Sequence, residues 1–192
     1  MPQLALYTFG VLNTPTRSPG TLTREFDEMV GAIYGGMDHI SGYIAHAAPT
    51  DPSEGAHFNW DWREWGEFVV PRWYEKGRTP QTTALAATMS LWVDVESAYT
   101  FVYTDLHRVA LNRRYDWFEK TGHPGHVLWW VTDDAIPTWK DGVPRLEHLQ
   151  GHEPTPYAFT FHNPFTSDGT RTKPSRPGRR DAERAAHGDA HK

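Results

Sequence analysis

The densest chemistry in the sequence lies between residues 103 and 117. Tyr103, His107 and Leu111 recur at i, i+4 and i+8, so a helix would carry them on one face. Arg114 comes seven residues after His107, near the same stripe, and Trp117 extends it. An imidazole beside a phenol can move a proton near neutral pH. A guanidinium close by would steady an enolate or a carboxylate. The expected catalytic residues are therefore His107, Tyr103 and Arg114. The structural alternative gives His107 only a bond to a backbone carbonyl between helix and sheet. Asp105 stands two residues from His107, off its face, and reads as a helix cap.

The other histidines say less. There are eleven. His123 and His126 are separated by Pro124-Gly125, and His187 and His191 fall near the chain end. No HExxH or comparable ligand spacing occurs, so no metal site is expected. Haem needs only one axial imidazole, which makes His107 the first candidate ligand and His46 the second. The glycine and serine motifs of α/β-hydrolases, P-loop enzymes and dinucleotide dehydrogenases are missing.

A binding surface would come from strands. In 83–93 (TALAATMSLWV), Leu85, Ala87, Met89, Leu91 and Val93 alternate with Ala86, Thr88, Ser90 and Trp92. In 4–12 (LALYTFGVL), Leu6, Thr8 and Gly10 share a side opposite Ala5, Tyr7 and Phe9. If the mixed faces line a cavity, Thr8, Ser90 and Trp92 supply hydroxyls and an indole. Trp117, Trp129 and Trp130 would add flat apolar walls. Such a lining suits a flat organic ligand.

These residues need elements to hold them. Phe26, Met29, Val30, Ile33, Tyr34, Met37 and Ile40 trace one face of a helix over Thr23–Ile40. GYIAHA (42–47) reads as a second strand. Asp94 caps a helical run to about Phe118, with a possible break at Thr104–Asp105. VLWWV (127–131) is an apolar strand, 138–151 a helix, and YAFTFH (157–162) a last strand. Residues 48–80 hold four Pro, three Gly and four Trp. A solvated loop of that length is implausible, so it reads as an ordered flap or hairpin packed on the body. The core order is β-α-β-β-α-β, an α+β ferredoxin-like split unit with an antiparallel sheet. Its helices cover one face. A second copy packed sheet to sheet would cover the other, forming a two-chain barrel.

The 192 residues allow one domain, 1–165, and a short tail, 166–192. The tail has seven Lys/Arg against four Asp/Glu, a net of +3, which leaves −8 for the body. An acidic body argues against nucleic acid, whose phosphates demand a basic patch. The tail reads as a disordered, solvated end. Nine Trp, eight Tyr and nine Phe point to an aromatic-lined surface or cavity, and Cys is absent. No run approaches the roughly 18 apolar residues of a membrane span, and the N-terminus lacks a signal-peptide pattern. A cytoplasmic protein with no membrane partner is the expectation.

Several of these runs resemble a known family. LWVDVESAYTFVYTDLHRVALNRRYDWF and VLWWVTDDAIPTWKDGVPRLEHLQGHEPTPYAFTF, and more weakly LALYTFGVL, are similar to an uncharacterised bacterial family, domain of unknown function 3291 (DUF3291). The shared features are Phe101-Val102-Tyr103, His107, Arg113-Arg114 with Trp117-Phe118, Leu128–Val131 and Pro154-Thr155-Pro156. The Trp-Glu-Ser of the family is replaced here by Trp92-Val93-Asp94-Val95-Glu96-Ser97, and the likeness fails over 48–80. The resemblance implies the dimeric α+β barrel superfamily. That group includes cofactor-free monooxygenases, haem enzymes, isomerases, cyclases and non-catalytic binders. The expected function is a homodimeric small-molecule enzyme of monooxygenase, isomerase or cyclase type. It would need no cofactor and act on an aromatic or polyketide-like substrate of secondary metabolism. The alternatives are a haem protein and a non-catalytic ligand binder.

Overall fold

Alternation of side chains along four short segments builds the sheet. The computed structural model describes residues 1–14, 20–51, 57–75 and 84–173. Gln3–Val11 forms β1, Tyr43–His46 β2, Leu85–Trp92 β3 and His126–Val131 β4. All neighbours pair antiparallel, in the order β2-β3-β1-β4. The split β-α-β-β-α-β order is the one expected, and the chain is an α+β protein. Register fixes the faces: Leu6 pairs with Ser90 and Leu128, and Thr8 with Thr88 and His126. A bulge between Tyr43 and Ala45 lets His46 face Ser90.

Among the described residues six α-helices follow in chain order: α1 (Thr21–Gly35), α2 (Arg72–Glu75), α3 (Val95–Tyr103), α4 (Asp105–Asn112), α5 (Arg114–Trp117) and α6 (Trp139–Gly151). Asp94 caps α3 by accepting from the Ser97 amide at 2.7 Å. Thr138 and Asp141 close a capping box on α6. The expected helix over 23–40 ends earlier. Gly36 caps α1, and Met37–His39 continues as a single 3₁₀ turn.

Two expected elements differ. The run to Phe118 is three helices: the break read at Thr104–Asp105 is present, and another is added. Thr104 leaves helical geometry and its Oγ1 donates to the Thr100 carbonyl at 2.6 Å. Asp105 turns to a φ of 45° instead of capping, and Thr104 holds the cap position. A second break falls at Arg113, whose guanidinium is held by Glu25 at 2.7 Å and Asp116 at 2.9 Å. The expected strand at 157–162 is a pair of turns. Thr155 and Ala158 exchange backbone bonds, and Asn163 bonds back to Thr160. Only Phe159 pairs with β4, through Leu128. Pro154, Pro156 and Pro164 around it remove amide donors a longer ladder would need. Residues 166–172 turn back on Pro164 and Phe165. The rest of the expected tail, 174–192, lies outside the described residues.

The largest departure concerns the second face of the sheet. Ala5, Tyr7, Phe9, Val11, Leu85, Met89, Leu91, Val127 and Trp129 are buried on that face. Covering them are Trp62, Trp65, Phe68, Val70 and Tyr74 of the insertion, with Trp139, Val143 and Leu146 of α6. Trp139 is the keystone: its ring lies 4.8 Å from Trp62, 4.9 Å from Phe68 and 6.0 Å from Tyr7. The described part of the insertion is two 3₁₀ turns and α2, without a strand, and it is core rather than flap or hairpin. Each large side chain buried there contributes about 1.5–3 kcal/mol of transfer free energy. The face on which a second copy is expected to pack is covered by the chain's own residues.

Candidate functional site

The helix-covered face of the sheet has two parts. Leu4, Leu6, Trp92 and Leu128 are buried under Val95, Ala98 and Val102 of α3 and under Phe159 and Phe161. One row further along the strands, Thr88, Thr8 and His126 lie side by side on β3, β1 and β4. All three are only half-buried, as are Ala86 and Gly10 in the next row. The helices above this part pack loosely: neither α1 nor α4 has a fully buried residue. The candidate site is this half-open row.

Hydroxyls and imidazoles crowd there. Thr8 Oγ1 and Thr88 Oγ1 bond each other at 2.7 Å. The Tyr34 hydroxyl of α1 bonds Thr88. Tyr34 stacks at a tilt on His46, with ring centres 4.8 Å apart. The Tyr43 hydroxyl bonds His46 Nδ1. His107, on α4, stands at the closed part of this face, its ring 4.9 Å from Phe101, which lies 5.0 Å from Trp92. His107 Nδ1 and His126 Nε2 are both buried without a hydrogen-bond partner.

Burial sets the protonation states. It pushes His126 down to about 4. It also lowers His107, with bonds to the backbone at Val102 and at His107 itself opposing, and His46, with Asp38 opposing. Desolvation disfavours the imidazolium, so these rings are neutral at physiological pH and can accept a proton. Tyr34 is held well above the usual phenol range by burial, and its bond to Thr88 pulls the other way. It stays a donor.

The expected residues divide. Thr8 belongs to the half-open row, whereas His107 lies against Phe101 beside the closed part of the same face. Tyr103 does not join them: the break at Thr104 turns α4 away from α3, so the i, i+4 spacing no longer makes one stripe. Tyr103 lies against Tyr99 at 4.5 Å and Phe161 at 5.6 Å, more than a third exposed. Arg114 is exposed, donates to the Leu111 carbonyl at 2.8 Å and sits over Tyr115. Trp92 is fully buried, and its indole N–H donates to Ser90 Oγ at 2.8 Å, so the two satisfy each other in the core. Trp130 donates to the Phe165 carbonyl at 2.7 Å. Trp129 faces the opposite side of the sheet, and Trp117 packs with Leu12 and Phe26 in a separate cluster. Sequence reasoning passed over Tyr34, which reads as one more apolar position of α1, and His126, which reads as loop. No local signal marks His126: only the pairing of β1 with β4 sets it beside Thr8.

Haem fits these residues only in part. His46 Nδ1 is taken by Tyr43, whereas His107 keeps a buried nitrogen without a partner. Among the described residues no group of three or more His, Asp or Glu side chains is placed to hold a metal ion. No described helix is long and apolar enough to cross a membrane.

A family model described as "Domain of unknown function (DUF3291)" matches residues 3–176. No curated protein matches the chain. A solved structure, the NE2512 protein of unknown function from Nitrosomonas europaea, is similar over 71% of this chain and 93% of its own. The identity is 10% and the TM-score 0.38.

Proposed function

The chain belongs to the DUF3291 family, whose description prescribes no reaction, and we propose from its own residues that it is a small-molecule-transforming enzyme working by proton transfer. The substrate is a flat aromatic or polyketide-like molecule with an acidic C–H or O–H. It binds on the helix side of the sheet rather than between two subunits. One observation carries this reading: His126 is a neutral imidazole with a buried nitrogen free of partners, paired across the strands with Thr8 and so beside a chain of hydroxyls, while His107 offers a second such imidazole from α4. Three hydroxyls joined by two bonds, Thr8–Thr88–Tyr34, use two of their three protons internally. The third proton is free to donate to an oxygen of the substrate.

The chemistry follows. An imidazole nitrogen takes the substrate proton, and the hydroxyl chain donates to the enolate or phenolate oxygen as charge develops there. Returning the proton to another carbon completes an isomerisation. Attack of the carbanion on a carbonyl of the same molecule completes a cyclisation. Reaction of the carbanion with dioxygen as co-substrate completes an oxygenation. None of the three needs a resident cofactor.

The test uses an enolisable aromatic ketone, 2-tetralone, in deuterium oxide. Mass spectrometry follows deuterium uptake at carbon. The wild-type chain accelerates uptake, and His107→Gln or His126→Gln lowers the acceleration about a hundredfold, the lower end of general-base effects. Acceleration that survives both substitutions refutes the proposal. Binding of the ketone without uptake makes the chain a non-catalytic binder, and a Soret band in the purified protein replaces the acid–base reading with haem ligation by His107.

A further inference from the structure

The opposite face of the sheet carries a second cluster that none of this chemistry uses. Along α6, Asp141, Arg145 and His148 recur at spacings of four and three, and His152 follows at the C-cap. That stripe faces β4 and the turn at 154–157. The turn is closed by reciprocal backbone bonds between Thr155 and Ala158, each 3.0 Å. It places Tyr157 against Arg145: the guanidinium carbon lies 4.6 Å from the Tyr157 ring centre and 5.1 Å from that of Trp129.

Arg145 has no anionic partner among the described residues. Its Nη1 donates to the Asp141 backbone carbonyl at 2.7 Å, while the Asp141 carboxylate accepts from the Thr138 amide and hydroxyl at 2.8 Å. Glu147, on the far side of α6, is taken by Arg72 at 3.0 Å. Arg145 Nε is buried and bonds nothing. The indole nitrogen of Trp129, against which the guanidinium lies, is in the same condition. So is Nε2 of His148, whose ring stacks on His152 at 4.2 Å and meets Tyr157 edge-on at 5.3 Å.

Arginine Nε–H and indole N–H are donors only. Two such donors, buried and without acceptors, one of them on a half-buried guanidinium that lies over the other's ring, define the partner's chemistry. It must accept hydrogen bonds, and negative charge on it offsets the desolvated guanidinium. The same positive charge disfavours a metal ion at the His148–His152 pair. The rings of Trp129 and Tyr157 cover the guanidinium's face, which leaves its hydrogen-bonding edge for a planar or tetrahedral oxyanion. We propose that Arg145, Trp129 and His148 form an oxyanion site on the α6 side of the sheet, taking the carboxylate or phosphate group of a small ligand. This site is separate from the half-open row around Thr8 and stands whether or not that row is catalytic.

The test is a titration of the full chain with inorganic phosphate and, separately, with benzoate, at constant ionic strength. Indole N–H resonances report binding, and Trp129→Phe identifies the relevant one. The expected result is a saturable downfield shift of the Trp129 indole with at least one anion, together with a rise in melting temperature. Arg145→Lys keeps the charge and loses the fork, so it weakens the apparent affinity at least about tenfold while far-UV circular dichroism stays native. A response to phosphate alone assigns a phosphate ester, and a response to benzoate alone a carboxylate. No saturable response to either in the wild-type chain, which needs no variant to read, overturns the proposal and leaves water as the acceptor. An equal response in folded Arg145→Lys overturns it as well.

Discussion

Trp62→Ala tests whether the Trp-rich insertion is part of the core or a cover laid over it. Trp62 is only 4% exposed. Its ring lies 4.8 Å from Trp139 and stacks on Phe68 at 5.8 Å, and its indole donates to the His57 carbonyl at 2.9 Å. Removing a buried Trp in such a setting costs about 3–5 kcal/mol. The orphaned His57 carbonyl falls within that range because water can reach a half-buried loop. A loss of about 4 kcal/mol lowers the melting temperature by about 8–16 °C for a chain of this size. Trp62→Phe keeps the ring contacts and loses the N–H bond, so it costs about 1–2 kcal/mol. Urea unfolding followed by circular dichroism measures both, with the slope compared to confirm that the denatured state is unchanged. A detachable cover behaves otherwise: Trp62→Ala would cost under about 1 kcal/mol, and Trp62→Phe nothing. That outcome would refute the claim that this chain closes its own sheet.

Three further perturbations follow from the same structure. Burial holds His57 and His126 at about 4, below the ordinary 6.5. The unfolded chain therefore binds more protons than the native one between those values. Stability is complete above pH 6.5 and falls as pH drops towards 4, by about 1–3 kcal/mol per histidine. His126→Gln makes that fall shallower in acid-unfolding curves, and stability that increases on acidification contradicts the assignment. Gly142→Ala sets helix preference, a gain of about 1 kcal/mol, against sterics. An added Cβ would stand 2.9 Å from Tyr7 Cγ and 3.0 Å from Met89 Cε, on a strand that cannot retreat. A net loss of about 1–3 kcal/mol is expected in thermal unfolding, and a gain would mean that α6 sits further from the sheet. Asp94→Ala removes the acceptor of the Ser97 amide and costs about 1 kcal/mol, read by urea midpoint.

How far the sequence carries depends on whether a feature is local. Alternation in LALYTFGVL and TALAATMSLW placed Thr8 with Gly10 and Thr88 with Ser90 on shared faces, and the register of β1 on β3 agrees. Asp94 caps the helix it stands before, as its side chain predicts, and a helix follows Thr138. Short-range chemistry decides both matters. His107 was legible as a half-buried imidazole on a helix. Its separation from Tyr103 was not, because Thr104 trades a helical carbonyl for its own side-chain bond, and spacing alone does not report that exchange. His126 was missed since its significance comes from β4 pairing with a strand more than a hundred residues earlier. Trp129 and Trp130 were grouped by composition, although adjacent strand residues must face opposite sides.

The same distinction explains the two-chain barrel. A sheet with one bare apolar face needs a second layer, and an identical subunit is one source of it. The insertion supplies another. Joining its rings to the sheet through the chain costs loop-closure entropy that grows only with the logarithm of length. Recruiting a separate subunit costs translational and rotational freedom at every concentration. Trp62, Trp65 and Phe68, already tethered, cover this face of the sheet. What the tethered layer leaves unsatisfied is polar rather than apolar: Tyr7 Oη, Trp129 Nε1, Trp139 Nε1, Arg145 Nε and His148 Nε2 are all buried on this side without partners. A layer selected only to exclude water from the sheet would place aliphatic groups at these positions. Indoles and a guanidinium cost more to bury, and the charge of Arg145 is the part of that cost an oxyanion would offset.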